Sequence, residues 1–430
     1  MIAHAEDPTS PCLYVEGVGV NSISGKVFGY GVKSRVLEGY KYLAKHWSPD
    51  RGGGKKDEIY LYGFSRGAFE ARLLAGMLAH CGLVNGQNLS EHQLDDVSEE
   101  AWRLACKVLR DVPDTTGKVP LDELADAWNK RLEQNRAATK NALKSYHFHA
   151  VQPEINFMGL WDTVPGMQFD RYNKSQTAFE ARKREYKVRP YPNTKVIAHA
   201  LALDEKRTKF SPLLVGPPLD SNRTKVYEVW FPGAHADVGG GYKDSNDMAG
   251  ITFNWMEKIA KDENMTWRQA ISYADATSLR HLSEEDFPNN FGSKKVNRVL
   301  PEMSYIDKTV FIRASHSPEK FVERKKTVIS ISYAPEIHIY GHEPVRVTGN
   351  ARSYDMMRQE LGGSLRLNDS AKSADAQKES IGKPLTPEQM IVPTVSTGNV
   401  SGQAEANAAN KPPVVKRSVA LNGAEVSRSR

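Results

Sequence analysis

The junction at Gly63-Phe64-Ser65-Arg66-Gly67 restricts this chain most. An apolar run, Ile59-Tyr-Leu-Tyr62, leads directly into it, and a helix-forming stretch, Ala68–Ala79, leads directly out. A strand that turns into a helix this sharply needs small residues at both flanks. The turn stands the Ser65 hydroxyl clear of the sheet. It also aims the N–H of Arg66 and the helix N-terminus at the space above that hydroxyl, where an oxyanion would form. The plainer alternative is an ordinary strand-to-helix turn with an incidental serine.

The pattern continues through most of the chain. Val36, Tyr40, Leu43, Ala44 and Trp47 form one helical stripe, and residues 90–147 read as a polar helical insertion. Cys12–Glu16, Ile155–Trp161, Val226–Phe231, Thr309–Arg313, Val328–Tyr333 and Glu336–Tyr340 read as strands. Helical readings fall on Val196–Leu203, 246–261 and 265–281, with a short helix around Tyr354–Leu361. Strand, helix, strand, helix predicts an α/β layered domain with a mostly parallel sheet. The domain is expected over residues 12–350, with the helical insertion at 90–147 and the segment at 167–190 as a cap or lid over the site. No aromatic residue follows Tyr354, and residues 362–430 are rich in Ala, Ser, Asn, Gly, Pro and Lys, so a disordered low-complexity tail is expected there.

A serine hydroxyl attacks only when a histidine takes its proton and an acid orients that histidine. Two later strand ends offer these groups: Asp162 after Ile155–Trp161, and His235 after Val226–Phe231. Crossover connections bring parallel strand ends to one edge of a sheet, where these side chains can meet. Taken alone, Asp162 fits a helix N-cap or a turn about as well. Among 12 histidines, His235 alone follows a long aromatic strand and precedes a glycine run, Gly239–Gly241. His199, within Val-Ile-Ala-His-Ala-Leu-Ala-Leu, reads as a packed core histidine. Asp237 ranks second as the acid, because a residue two positions from His235 rarely reaches the far imidazole nitrogen. Gly63, Phe64, Gly67, Asp237 and Tyr242 are the expected substrate contacts.

Other classes fare worse. Three cysteines rule out a disulfide framework, and 58 Lys plus Arg against 52 Asp plus Glu leaves a net charge of +6, too small to argue for nucleic acid. No apolar run reaches the roughly 18 residues of a membrane helix, and the first residues lack the pattern of a secretory signal. Glu16-Gly17-Val18-Gly19-Val20 is only a partial dinucleotide fingerprint. Asp237, Asp244, Asn246 and Asp247 match no calcium loop, and Asp244-Ser245-Asn246 suits a helix N-cap better. The chemistry calls for no metal and no cofactor. Basic residues at 181–189 and Lys206-Arg207 read as a solvated helix face or, for a lipase, as an adhesive patch for anionic headgroups.

Four ordered segments, GFSRGAFEARLLAGML, MGLWDTVPG, HALALDEKR and VWFPGAHADVGGGY, together resemble the hallmarks of a widespread family of α/β-hydrolase domains. That family includes the phospholipase effectors of bacterial type VI secretion systems. The resemblance implies an α/β-hydrolase fold and a triad of Ser65, Asp162 and His235. It further implies ester hydrolysis on phospholipid acyl chains at a membrane surface, synthesis in the bacterial cytoplasm and delivery into target cells. A secretion-spike component and a cognate immunity protein are the partners implied. Family members usually begin with an apolar strand ending in a Phe-Asp-Gly-Thr-like turn, and this chain starts only about a dozen residues before Leu13. Either Gly17 and Gly19 substitute for that turn, with Gly17 the expected second oxyanion donor beside Arg66, or the chain is a truncated or degraded member with weak activity. Two alternatives stand against a lipase: a catalytically impaired member that serves as a binding or delivery module, and a soluble esterase of small esters.

Overall fold

The computed structural model describes residues 12–16, 31–53, 55–108, 121–165, 190–216, 218, 220–242, 245–264, 274–282, 296–316, 319–322, 328–347, 357, 359, 361 and 364–368. In chain order the elements begin with α1 (Val32–His46), β1 (Ile59–Phe64), α2 (Arg66–Cys81), α3 (Glu91–Val108) and α4 (Leu121–Ala142). There follow β2 (Ile155–Trp161), β3 (Thr194–Ala202), a 3₁₀ turn at Thr208–Phe210, β4 (Lys225–Phe231), α5 (His235–Gly239) and α6 (Asp247–Asp262). The remainder is β5 (Arg280–His281), β6 (Val299–Leu300), β7 (Ser304–Asp307), α7 (Thr309–Ser315), β8 (Glu319–Val322), β9 (Val328–Ile331), β10 (Glu336–Ile339), β11 (Val345–Arg346) and β12 (Leu365–Asn368).

Six strands form one sheet in the order β1-β2-β3-β4-β7-β12, and every neighbouring pair is parallel. Helices cover both faces, an α/β-hydrolase-like arrangement. In β2 the side chains alternate between the two cores. Met158 and Leu160 join Tyr40 of α1, Leu78 of α2 and Trp128 of α4, whereas Phe157 and Trp161 join Trp255, Met256 and Ile259 of α6. A parallel strand buried on both faces is apolar at every position, not at alternate ones. Two three-stranded sheets, β11-β10-β6 and β5-β8-β9, complete the described elements. Among the described residues no helix is long and apolar enough to cross a membrane.

Several sequence expectations need correction. The run around His199 is strand β3, not a helix; it is flanked by β2 and β4, and its continuous apolar character comes from burial on both faces. Thr309–Arg313 is helix, not strand. The Asp307 carboxylate accepts the Thr309 N–H (2.9 Å) and hydroxyl (2.6 Å), and Val310, Arg313 and Ala314 lie buried at helical spacing. Residues 12–16 form no strand. Within the helix expected at 265–281, the described residues 274–279 are not helical, with a turn at 276–278, and Arg280–His281 is strand. Met357 and Gln359 are helical, in line with the short helix expected there.

The domain does not end near residue 350. Leu365–Asn368, assigned to the disordered tail, is the edge strand β12 of the main sheet, paired with β7. Leu365, Leu361 and Met357 are buried in a cluster with Trp230 and Ile306. Two leucines in alternation beside an open strand edge suffice for pairing, and aromatic residues are not required. The remainder of the expected tail, 369–430, lies outside the described residues. So does the lid segment expected at 167–190, apart from Pro190, and so do the basic residues 181–189. The insertion at 90–147 does contain two helices, but they build the helical layer. Asn135 bonds His80, Arg136 donates to the Ala79 carbonyl and the Cys81 thiol donates to the Ala101 carbonyl, all at the end of α2 remote from Ser65.

Candidate active site

β1 ends at Phe64, α2 starts at Arg66, and Ser65 alone makes the turn, with φ 58° and ψ −120°. A non-glycine residue held there costs of order 1–3 kcal/mol and persists only where its surroundings fix it. Here the Ser65 N–H donates to the Trp161 carbonyl (2.9 Å), and the Ser65 carbonyl accepts the N–H groups of Val164 (3.2 Å) and Phe69 (3.3 Å). The turn is thus stitched to the end of β2. Gly63 is required because a Cβ at that position would overlap the Gly67 carbonyl; a Cβ at Gly67 would meet nothing.

The ends of β1, β2 and β4 bring Ser65, Asp162 and His235 together. His235 Nε2 lies 2.8 Å from Ser65 Oγ, and His235 Nδ1 lies 2.6 Å from Asp162 Oδ2. An ionised carboxylate only accepts, so Nδ1 carries the imidazole proton and Nε2 is left to accept from the serine hydroxyl. Asp162 is wholly buried and adopts φ 39°. Burial pushes its carboxyl up. The Arg298 charge and the bond from His235 outweigh that and hold it well below the usual carboxylate range. Asp237, the rival acid, has no part in orienting His235 through Nδ1.

Three groups of residues hold His235 in place. Glu205 accepts the His235 N–H (3.3 Å) and is itself gripped by Nε and Nη2 of Arg207, both at 2.8 Å. Asp204 accepts the Gly233 N–H (2.6 Å) and the Tyr333 hydroxyl (2.9 Å), which fixes the turn leading into α5. The imidazole sits between two rings: Phe64 at 4.6 Å between centroids and Phe210, edge-on, at 5.0 Å. Gly239 is glycine because a Cβ would enter the Phe64 ring.

The expected substrate contacts separate. Phe64 flanks the imidazole and Gly63 lets the turn close, whereas the small residue expected at the other flank, Gly67, is not required by packing. Asp237 is buried: Oδ1 pairs with His281 Nδ1 (2.7 Å), and Oδ2 accepts the N–H groups of Ala234 (3.0 Å) and His281 (3.1 Å). Tyr242 stacks on His281 with centroids 3.5 Å apart. Asn246 accepts the N–H groups of Gly241 (2.8 Å) and Tyr242 (3.2 Å), which holds the glycine loop closed. Arg66 is the first residue of α2, where helix N–H groups have no acceptor within the helix. Gly17, Gly19 and Asp244 lie outside the described residues. Among those residues no group of three or more His, Cys, Asp or Glu could hold a metal ion.

His199 is buried in the core as expected, but it is also used. Its Nε2 accepts the Thr163 N–H (3.1 Å) and its Nδ1 faces Glu228 (3.0 Å), so it braces the residue after Asp162. Arg298, Glu205 and Phe210 had drawn no functional reading from the sequence. Glu205 did carry a signal, since Leu-Asp-Glu-Lys-Arg follows a strand end, but a lone arginine such as Arg298 carries none.

The description "T6SS, Phospholipase effector Tle1-like, catalytic domain", where T6SS is the type VI secretion system, matches residues 1–258 of this chain. The chain belongs to this family. The Tle1-like region contains Ser65, Asp162 and His235 and stops short of Arg298. The chain is also 25% identical over 202 residues to the uncharacterized protein YEL023C of Saccharomyces cerevisiae, a match covering 46% of this chain and 24% of that protein. Among solved structures it is similar to a Tle1 effector bound to the VgrG spike of a type VI secretion system. Identity there is 19% and the TM-score 0.23, over 54% of this chain and 40% of that one. The chain therefore spans less than half the length of either relative.

Proposed function

We propose that this Tle1-like chain is a serine hydrolase that cleaves carboxylic esters of phospholipids and acts as an antibacterial effector of a type VI secretion system. The observation that carries the reading is the unbroken run of hydrogen bonds from Ser65 Oγ through His235 to Asp162, on a chain of a phospholipase effector family. Ser65 Oγ attacks the acyl carbonyl while its proton passes to His235 Nε2. Asp162 keeps Nδ1–H in place and stabilises the imidazolium. The oxyanion forms beside the Arg66 N–H at the start of α2. The imidazolium then gives its proton to the departing alcohol, and water, activated by the same histidine, releases the fatty acid from Ser65.

A spike component is the delivery partner and an immunity protein the inhibitor in this reading. A fluorophosphonate probe should label the wild-type chain and not Ser65→Ala. Vesicles of phosphatidylethanolamine and phosphatidylglycerol should release fatty acid only with the wild type, and faster above the critical micelle concentration of a short-chain phospholipid than below it. A wild type that neither takes the probe nor releases acyl chains would overturn the assignment. Equal rates below and above the micelle threshold would reduce it to a small-ester esterase.

A further inference from the structure

Arg298 lies immediately before β6 and is buried. Nη1 donates to Asp162 Oδ1 (2.6 Å) and to the Ala202 carbonyl (2.5 Å), and Nη2 donates to Asp162 Oδ2 (2.9 Å) and to the Phe210 carbonyl (2.6 Å). The guanidinium thus grips both oxygens of the carboxylate and ties them to the end of β3 and to the backbone of Phe210, whose ring packs on His235. With the Ala202 N–H on Oδ1 (3.1 Å) and His235 on Oδ2 (2.6 Å), every acceptor position of Asp162 is filled.

We infer that Arg298 is a positioning residue of this site: its fork fixes the Asp162 carboxylate against His235, and its positive charge limits how strongly that carboxylate attracts a protonated imidazole. The inference rests on the proposed triad but names a member from outside the residues that the family description matches. The Asp162 carboxylate at 2.6 Å attracts a proton onto the imidazole, which competes with its use as the base for Ser65. A cation on the far side of the same carboxylate opposes this. Of the other acidic groups near His235, Glu205 and Asp237 face ionisable partners and Asp204 is held by neutral donors. Glu205, against its N–H, is matched by Arg207. Asp237, on its own helix, is taken by His281. Asp204, under the preceding turn, is bonded to Gly233 and Tyr333. Arg298 is thus the cation placed to oppose Asp162 directly.

The test uses the full chain with Arg298→Met and Arg298→Lys, and it needs no activity for its first readout. NMR of ¹³Cε1-labelled histidines, assigned with His235→Gln, follows the protonation of His235. Arg298→Met should raise its midpoint by about one pH unit or more. In the same variant the acid limb of kcat/KM on a soluble p-nitrophenyl ester should move up with it. Arg298→Lys keeps the charge but not the fork, which recognises a carboxylate at two points. It should leave the midpoint in place and lower kcat by about tenfold. An unmoved His235 midpoint in folded Arg298→Met overturns the electrostatic role. Should the Met variant not fold, Arg298→Lys decides, since a wild-type kcat in that variant overturns the positioning role. An inactive wild type with the NMR shift present would instead reject the hydrolase reading and keep the inference.

Discussion

β1 to β4 run for six to nine residues each and carry Ser65, Asp162 and His235 at their ends; β7 and β12 have four residues each and carry none of these groups. β2 and β3 are buried on both faces, so burial alone specifies them, whereas β1 is mostly half-buried and β4 is buried only over Val229–Phe231, next to the turn that leads to His235. The short strands close the open edge of β4, and the segment leading to them supplies Arg298. The comparison teaches that chemistry and support can be divided along the chain. The first part of the chain, up to α5, presents the reacting groups, and the part after it seals the sheet and holds the acid.

Substitutions can break this division, beginning with the largest effect. Ser65→Ala should lower ester hydrolysis by about 10⁶ with the fold intact by near-ultraviolet circular dichroism. Asp162→Asn should cost about 10⁴ in kcat through the wrong imidazole tautomer. Because it also leaves Arg298 buried without its counter-charge, denaturant unfolding should show a stability loss of about 3–5 kcal/mol. In the later part, Leu365→Ala should lower stability by about 2–5 kcal/mol in the same assay, yet change kcat little at temperatures where the chain stays folded. A kcat loss as large as that of Asp162→Asn would erase the division.

Two smaller effects sharpen it within the first part. His80 is packed edge-on against Trp128 and Tyr191. Burial first, then the charges of Arg131 and Arg136, push it down to about 4. As pH falls below the ordinary value of about 6.5, the unfolded chain takes up this proton before the folded one. The stability held by neutral His80 is therefore full above pH ~6.5 and declines toward pH 4, by about 3 kcal/mol in all. His80→Gln should flatten that slope in unfolding curves collected from pH 7 to pH 4. Ser65→Gly relieves the positive φ, and its melting temperature should rise by an amount equivalent to about 1 kcal/mol while activity is lost.

Much of the first part was legible in the sequence. The Ile59–Tyr62 run, the Gly-x-Ser-x-Gly turn and the helix after it can be arranged in one way only, and Asp162 and His235 close strands whose apolar runs are plain. β3 was misread because an unbroken apolar run has no period, and periodicity is what separates helix from strand. Thr309–Arg313 was misread for the opposite reason. Its β-branched and aromatic residues favour a strand, but the Asp307 carboxylate starts a helix and tertiary burial keeps it. β12 was missed because four residues with two leucines carry little local signal; its stability lies in the exposed edge of β7. Arg298 shows the limit of such reading most sharply. Its meaning depends on Asp162, Ala202 and Phe210, which only the fold brings to one place.

The outer edge of β4 has one partner in the main sheet, β7, and β7 in turn is covered by β12. A ribosome releases the nucleophile, acid and base long before either covering strand has been made. During that interval the nascent sheet presents an open row of backbone groups, and the carboxylate awaits its guanidinium. The producing cell therefore makes the reactive part of this molecule first and its fastening last.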